Sequence, residues 1–225
     1  HRLVIEGLFG PVYKAASTKE LIEKDILSEF EIDSILLKYP MEVCNSFKRL
    51  TYQEEIHKLV SLDIRNEFIV ELAQSVCGNT LVLFQYVNDH GVPLYENLLE
   101  KHSGKVFLVH GGIKADVREE IRRITEQEDN AIIVASYGTF STGVSIKRLH
   151  NIIFASPSKS RIRVLQSIGR QLRKSVYKDK AKLFDISDDL RWKKYVNHTY
   201  RHYKERIEIY RSEDFDVTPI CINIG

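Results

Sequence analysis

Residues 166 to 173 read Gln-Ser-Ile-Gly-Arg-Gln-Leu-Arg. At about 100° per residue on a helix, Gln166, Arg170 and Arg173 stand at i, i+4 and i+7 and share one stripe. Ile162, Leu165, Ile168 and Leu172 form an apolar face that should pack on a neighbouring layer, and the polar stripe borders that face. Two guanidiniums held at the edge of a packed helix suit an anion in a cleft, because their planar forks of donors match phosphate oxygens. Gly169 removes a side chain that would hinder close approach. The spacing alone leaves a second reading open, an exposed basic helix edge that is only solvated.

Upstream lies a polar stretch that follows an apolar run. Val134–Ser145 reads Val-Ala-Ser-Tyr-Gly-Thr-Phe-Ser-Thr-Gly-Val-Ser. Ser136, Thr139, Ser141, Thr142 and Gly143 supply hydroxyl and backbone N–H donors, the groups that hold phosphates without reading sequence. Two further runs end in turns, Thr80–Tyr86 with Phe84 and Gln85 at its close, and Val109-His110-Gly111-Gly112 with Arg118 beyond it. Gln-x-x-Gly-Arg-x-x-Arg is similar to motif VI of superfamily-two helicases and translocases. Val134–Ser145 resembles motif V of that family. The Thr80 and Val109 runs resemble the weaker motifs that precede it, and the order from Thr80 to Arg173 is the family's.

The resemblance implies a RecA-like lobe, the second of two in the motor. It implies that Arg170 and Arg173 reach the γ-phosphate of ATP as fingers, with Gln166 coupling the helix to nucleotide or to motif V. Gly143 and Ser145 would lie beside the nucleotide. Ser145 stands where many relatives have Asp, which puts a carboxylate contact to the ribose in doubt; Gln171 stands where relatives often carry a small residue. Ser136, Thr139, Ser141, Thr142, His110, Gly111 and Phe84 would meet nucleic acid. ATP and Mg²⁺ would be held mainly by an N-terminal RecA-like lobe, for the sequence has no G-x-x-x-x-G-K-[ST] loop. The stretch Ser136–Leu149 and the run Tyr203–Arg211 are most like members working on branched or forked DNA in recombination, repair and fork processing. An RNA helicase lobe, a restriction-type translocase lobe and a non-catalytic RecA-like scaffold are the alternatives.

The elements that must position these residues follow from apolar patterning. Thr80–Phe84, Val106–Val109, Ala131–Val134, Asn151–Phe154 and Ala181–Phe184 are short β-rich runs, nearly all apolar, as strands buried on both faces should be. Ile113, Val117, Ile121 and Ile124 recur at helical spacing between two of them, and a second helix is expected over about Ser160–Ser175. Strand, helix, strand in this rhythm predicts an α/β fold with a parallel sheet whose working loops sit at the strands' carboxyl ends. The flanks read as mainly helical, at Thr18–Glu29, from Glu54 to Val76, and across 191–212, before an apolar tail at Val217–Ile224. Few strand signals precede residue 75 beyond Arg2–Leu8 and Pro11–Ala15. The division expected is 1–75 as the end of a preceding lobe with connecting helices, 76–190 as the motor lobe, and 191–225 as a C-terminal helix and tail.

Bulk composition bounds the partners. With 33 basic and 31 acidic side chains the formal charge is +2, so nucleic acid must be met by local patches and not by a global field. Cys44, Cys77 and Cys221 form no CxxC pair, which argues against a zinc knuckle or a disulfide framework. No apolar run nears the roughly 18 residues of a membrane span, and no signal-peptide pattern is read, so the expectation is a cytoplasmic protein with no membrane partner. The chain opens at His1 without methionine, as a fragment or a processed product would. Asp185, after Leu183-Phe184, and Asp188 and Asp189 read as turn caps beyond a last strand. His198 and His202, four apart, read as an exposed helix face, since no third metal ligand lies nearby.

Overall fold

The computed structural model describes residues 29–141, 146, 148–157, 180–212 and 215–225. Seven strands form one sheet, all parallel: β1 (Glu29–Lys38), β2 (Thr80–Phe84), β3 (Val106–Val109), β4 (Ile132–Ser136), β5 (Asn151–Phe154), β6 (Lys180–Asp189) and β7 (Asp216–Asn223). Their spatial order is β3-β4-β2-β5-β6-β1-β7. Five of them lie where apolar runs predicted strands, β6 extending past its run to Asp189. β2 is buried at every position, which explains its uninterrupted Thr-Leu-Val-Leu-Phe.

Side-chain alternation splits the core into two layers. On one face Ile35, Leu37, Val82, Phe84, Val134 and Ile153 pack with helices α1 (Met41–Ser46), α3 (Asp63–Ser75) and α4 (Val92–Lys101), and with Leu59 of α2 (Tyr52–Val60). On the other, Ile32, Leu81, Leu83, Ile133, Phe154 and Leu183 meet Tyr210 of α7 (His198–Ser212), with Ile121 of α5 (Ala115–Thr125) at the margin. Odd and even residues of each strand thus serve different layers, the period-2 rule of a pleated sheet.

The first stretch of the chain differs from its sequence reading. Glu29–Lys38 is a ten-residue strand paired to β6 and β7, so it sits inside the sheet and not on a helical flank. Glu31, Asp33 and Ser34 interrupt the apolar run and mask its alternation; burial comes from β7, which covers the outer edge. The expected helix from Glu54 to Val76 is two helices. Ser61 Oγ donates back to the His57 and Lys58 carbonyls, and Leu62 turns extended before α3 begins. Thr51 and Glu54 close a reciprocal capping box at the start of α2.

At the amino edge, buried Asn79 gathers the strands: its Nδ2 donates to the Thr125, Glu128 and Arg148 carbonyls, and its Oδ1 accepts from Ala131 N. Among the described residues, no helix is long and apolar enough to cross a membrane.

Candidate nucleic-acid and nucleotide interface

Because the strands are parallel, every strand exit lies on one edge, and the loops expected to do chemistry gather there. β4 ends at Ser136 and the chain turns at once into a short helix, α6 (Tyr137–Ser141). Ser136 Oγ lies 2.8 Å from Thr139 Oγ1 and accepts from Thr139 N at 3.4 Å, the arrangement of a residue capping a helical turn. Thr139 is only 5% exposed. The sequence placed both hydroxyls toward a ligand; the structure corrects Thr139, which is turned inward to hold Ser136. Gly138 is exposed, and a Cβ there would meet nothing.

The loop after β3 is built on His110. Its Nδ1 accepts from Gly112 N at 3.2 Å, and the Ile113 amide donates to its carbonyl. A Cβ on Gly112 would lie 3.0 Å from the His110 ring, whereas one on Gly111 would meet nothing. Gly111 is therefore not demanded by any neighbour in the chain, and its bare backbone is open to solvent. Nearby on α5, the Arg118 Nε is shielded and has no hydrogen-bond partner among the described residues.

Phe84 does not join this surface. It is fully buried, with its ring so close to Gly91 that a Cβ there would come within 2.5 Å. The expected nucleic-acid contact at Phe84 is corrected by its place in a strand covered on both faces. Ser141 ends α6, while Thr142, Gly143, Ser145, Gln166, Arg170 and Arg173 lie outside the described residues.

The sequence reading missed a buried polar network beneath the edge. A wide turn at Val87–Gly91 carries His90 inward, where it is fully buried. Asn66 Nδ2 donates to the Val60 carbonyl, so Asn66 Oδ1 accepts from His90 Nε2 at 3.1 Å. His90 Nδ1 then accepts from the Ser156 hydroxyl at 2.7 Å, and Ser156 Oγ accepts in turn from Gln85 N. This fixes one neutral tautomer. Burial, with the Arg65 guanidinium second, holds the imidazole well below its ordinary pKa.

The same few residues are tied from two other sides. Tyr137 Oη donates to the Ser156 carbonyl at 3.0 Å, and Arg65 Nη1 donates to the Ala155 carbonyl at 2.7 Å. Arg65 also pairs with Asp188 (Nε to Oδ1, 2.8 Å), both with side chains wholly buried, and Tyr39 Oη donates to that carboxylate at 2.6 Å. Burial, then Asp188, raises the Tyr39 phenol well above its usual range, so it remains a donor. Ala155 and Ser156, just past the end of β5, are thus anchored by α3, by α6 and by the exit of β2.

Asp185 and Asp188 are not turn caps, whereas Asp189, the last residue of β6, does cap the turn that follows, its Oδ1 accepting from Arg191 N at 3.3 Å. All three lie within β6. Asp185 accepts from Arg206 Nε at 2.8 Å and from Tyr210 Oη, joining α7 to the sheet, and Asp189 pairs with Arg191. Carboxylates at a strand's end look alike in sequence whether they cap a turn or serve a partner far along the chain. His198 and His202 are half-buried and meet the Tyr52 ring edge-on.

The helicase conserved C-terminal domain matches residues 55–175, more than half of the chain. This chain belongs to the helicase C-terminal domain family. Among its relatives, the ATP-dependent DNA helicase uvsW of Enterobacteria phage T4 is 37% identical over 231 residues, covering 97% of this chain and 46% of that protein. A putative ATP-dependent RNA helicase of Acanthamoeba polyphaga mimivirus is 26% identical over 193 residues, covering 82% and 35%. The crystal structure of T4 UvsW superposes with a TM-score of 0.77 at 34% identity, over 96% of this chain and 44% of that one. The ATP-dependent Type ISP restriction-modification enzyme LlaBIII bound to DNA reaches 0.62 at 15% identity over 97% and 17%, a likeness of fold alone. The chain spans less than half the length of the curated relatives it matches. The parallel sheet with helices on both faces is the RecA-like lobe of this family.

Proposed function

We propose that this chain is the second motor lobe of an ATP-dependent DNA helicase that works on branched or forked DNA in recombination, repair and fork processing. The observation that carries the reading is the order of family motifs along the chain, with the described motif turns leaving the sheet on its carboxyl edge. The Gln166–Arg173 stretch follows the anchored exit of β5, and the His110–Gly112 and Ser136–Ser141 turns leave β3 and β4 on that same edge. Identity to a DNA helicase along nearly the whole chain favours DNA over RNA.

In this reading an N-terminal RecA-like lobe holds ATP and Mg²⁺, and the present lobe closes on them. Arg170 and Arg173 meet the negative charge that builds on the γ-phosphoryl group as it leaves, Gln166 couples the helix to nucleotide or to motif V, and Gly143 and Ser145 line the nucleotide side. Ser136, Ser141, Thr142, Gly111 and the His110 loop grip phosphates, which predicts binding that weakens with salt and reads little sequence. Residues 76–190 carry the motifs, and residues 29–75 and 191–225 complete the layers of the lobe.

The test is made in the full-length protein that carries this chain. Arg170→Ala or Arg173→Ala should cut DNA-stimulated ATP hydrolysis by about 10³ to 10⁵ while leaving ATP binding largely in place, because a finger acts on the transition state more than on the ground state. Arg→Lys should rescue poorly, since an ammonium lacks the planar fork. Lys174→Ala is the control and should be nearly silent. Wild-type turnover in both arginine variants overturns the motor reading in favour of a non-catalytic scaffold. Stimulation by RNA or by linear duplex in preference to forked DNA would shift the substrate to the corresponding branch of the family.

A further inference from the structure

The fourteen residues from Arg191 to Lys204 contain five Lys or Arg and four Tyr or Trp, with no Asp or Glu, in a chain whose balance is only +2. One residue separates them from the end of β6, so they leave the sheet on its carboxyl edge. Trp192 and Tyr195 bond to each other through both backbone N–H groups, at 3.1 and 2.8 Å, which closes a tight turn with Lys193 and Lys194 at its tip. Lys193 there holds φ +51, in the left-handed region where Gly or Asn would sit at lower cost. A strained backbone carrying an exposed lysine points to a use for the side chain.

The turn and the helix are locked together by an aromatic ring. The Arg191 guanidinium stands 4.2 Å from the Tyr200 ring centroid and Lys204 Nζ 5.3 Å from the same ring, while Lys193 Nζ lies 5.6 Å from Trp192. Arg191 is also held by Asp189. Lys193, Lys194, Arg201 and Lys204 are exposed, and none is paired with a carboxylate among the described residues. Gathering unneutralised cations in fixed positions costs self-repulsion, which a polyanion relieves.

We infer that Lys193, Lys194, Arg201 and Lys204 form a phosphate-backbone contact for nucleic acid, separate from the motif loops. The sheet order puts β6 four strand spacings from β3, roughly 19 Å at about 4.8 Å each. A strand lying along the edge from the His110 turn to this patch would pass about five to six phosphates at 3.4 Å apiece. The contact is one of charge and position, and predicts no base preference.

The experiment titrates the 225-residue chain against a fluorescein-labelled 20-nucleotide DNA strand and a 20-base-pair duplex, by anisotropy, from 50 to 200 mM salt. The quadruple variant Lys193→Ala/Lys194→Ala/Arg201→Ala/Lys204→Ala should flatten the slope of log K against log salt by roughly 2 to 4 units and weaken binding at least about tenfold at 50 mM salt. Lys48→Ala/Lys101→Ala is the surface control and should leave both unchanged. A quadruple variant that matches the wild type in affinity and slope, with an unchanged melting curve, overturns the contact and leaves the arginine-finger reading standing, since hydrolysis is not the readout. Wild-type chain that ignores both DNA probes but binds vesicles of anionic lipid overturns it in favour of a membrane surface.

Discussion

His90 is held in one protonation state by geometry. Its two ring nitrogens face Ser156 Oγ and Asn66 Oδ1 in full burial, with the Arg65 guanidinium nearby as a like charge that disfavours the imidazolium. A second proton would remove the acceptor that Ser156 requires. The folded-state pKa is lowered, so the unfolded chain binds more protons than the fold below the ordinary histidine value, and stability falls as pH falls. The contribution is complete above about 6.5 and is lost progressively below it. Thermal melts from pH 7.5 to 5 should therefore show a steeper decline in the wild type than in His90→Gln; parallel curves would remove His90 as the cause. Sequence offered no hint of this residue. A lone histidine after a strand looks like any turn residue until the wide turn at Val87–Gly91 carries it into the core.

The helix α7 is secured to the lobe by charges that lie far away in sequence. Buried Glu55 of α2 accepts from the His198 and Thr199 amides at 2.9 and 2.8 Å, satisfying free donors at the helix start and opposing its dipole. Farther along, Arg206 pairs with Asp185 at 2.8 Å and reaches Ser187 Oγ. Glu55→Ala should cost about 1–3 kcal/mol, the scale for leaving buried donors unmet, and raise amide exchange in the first turn of α7 ahead of the sheet. If that turn exchanges as slowly as in the wild type, Glu55 is not what holds it. The capping box of α2 was readable from Thr51-x-x-Glu54, a local pattern. The Glu55 cap was not, because donor and acceptor are 143 residues apart.

At the scale of the molecule, β1 binds together parts that sequence order separates. It pairs along its length with β6 on one side and β7 on the other, so residues near both ends of the described chain complete one sheet. The sequence carries Arg170 and Arg173 but no phosphate loop. The purified 225-residue chain should consequently fold and yet hydrolyse no ATP above background, with or without DNA. Turnover that persists through repeated purification, and is lost in Arg170→Ala, would show that the chain holds nucleotide without another lobe.

Sequence by itself determined the parallel α/β class, five of the seven strands, and the order of the family motifs, because buried strands and capped helices write their burial into local patterns of two or 3.6 residues. It also marked His110, Gly111 and Ser136, whose turns lie on the carboxyl edge as expected. Tertiary structure alone decided the rest. It turned Phe84 and Thr139 inward and brought β1 between β6 and β7. It converted Asp185 and Asp188 from apparent caps into partners of Arg206 and Arg65, and joined His90, Ser156 and Tyr137 beneath the exit of β5. Each of these depends on which distant groups meet when the sheet closes, and a buried polar side chain takes its meaning from that partner.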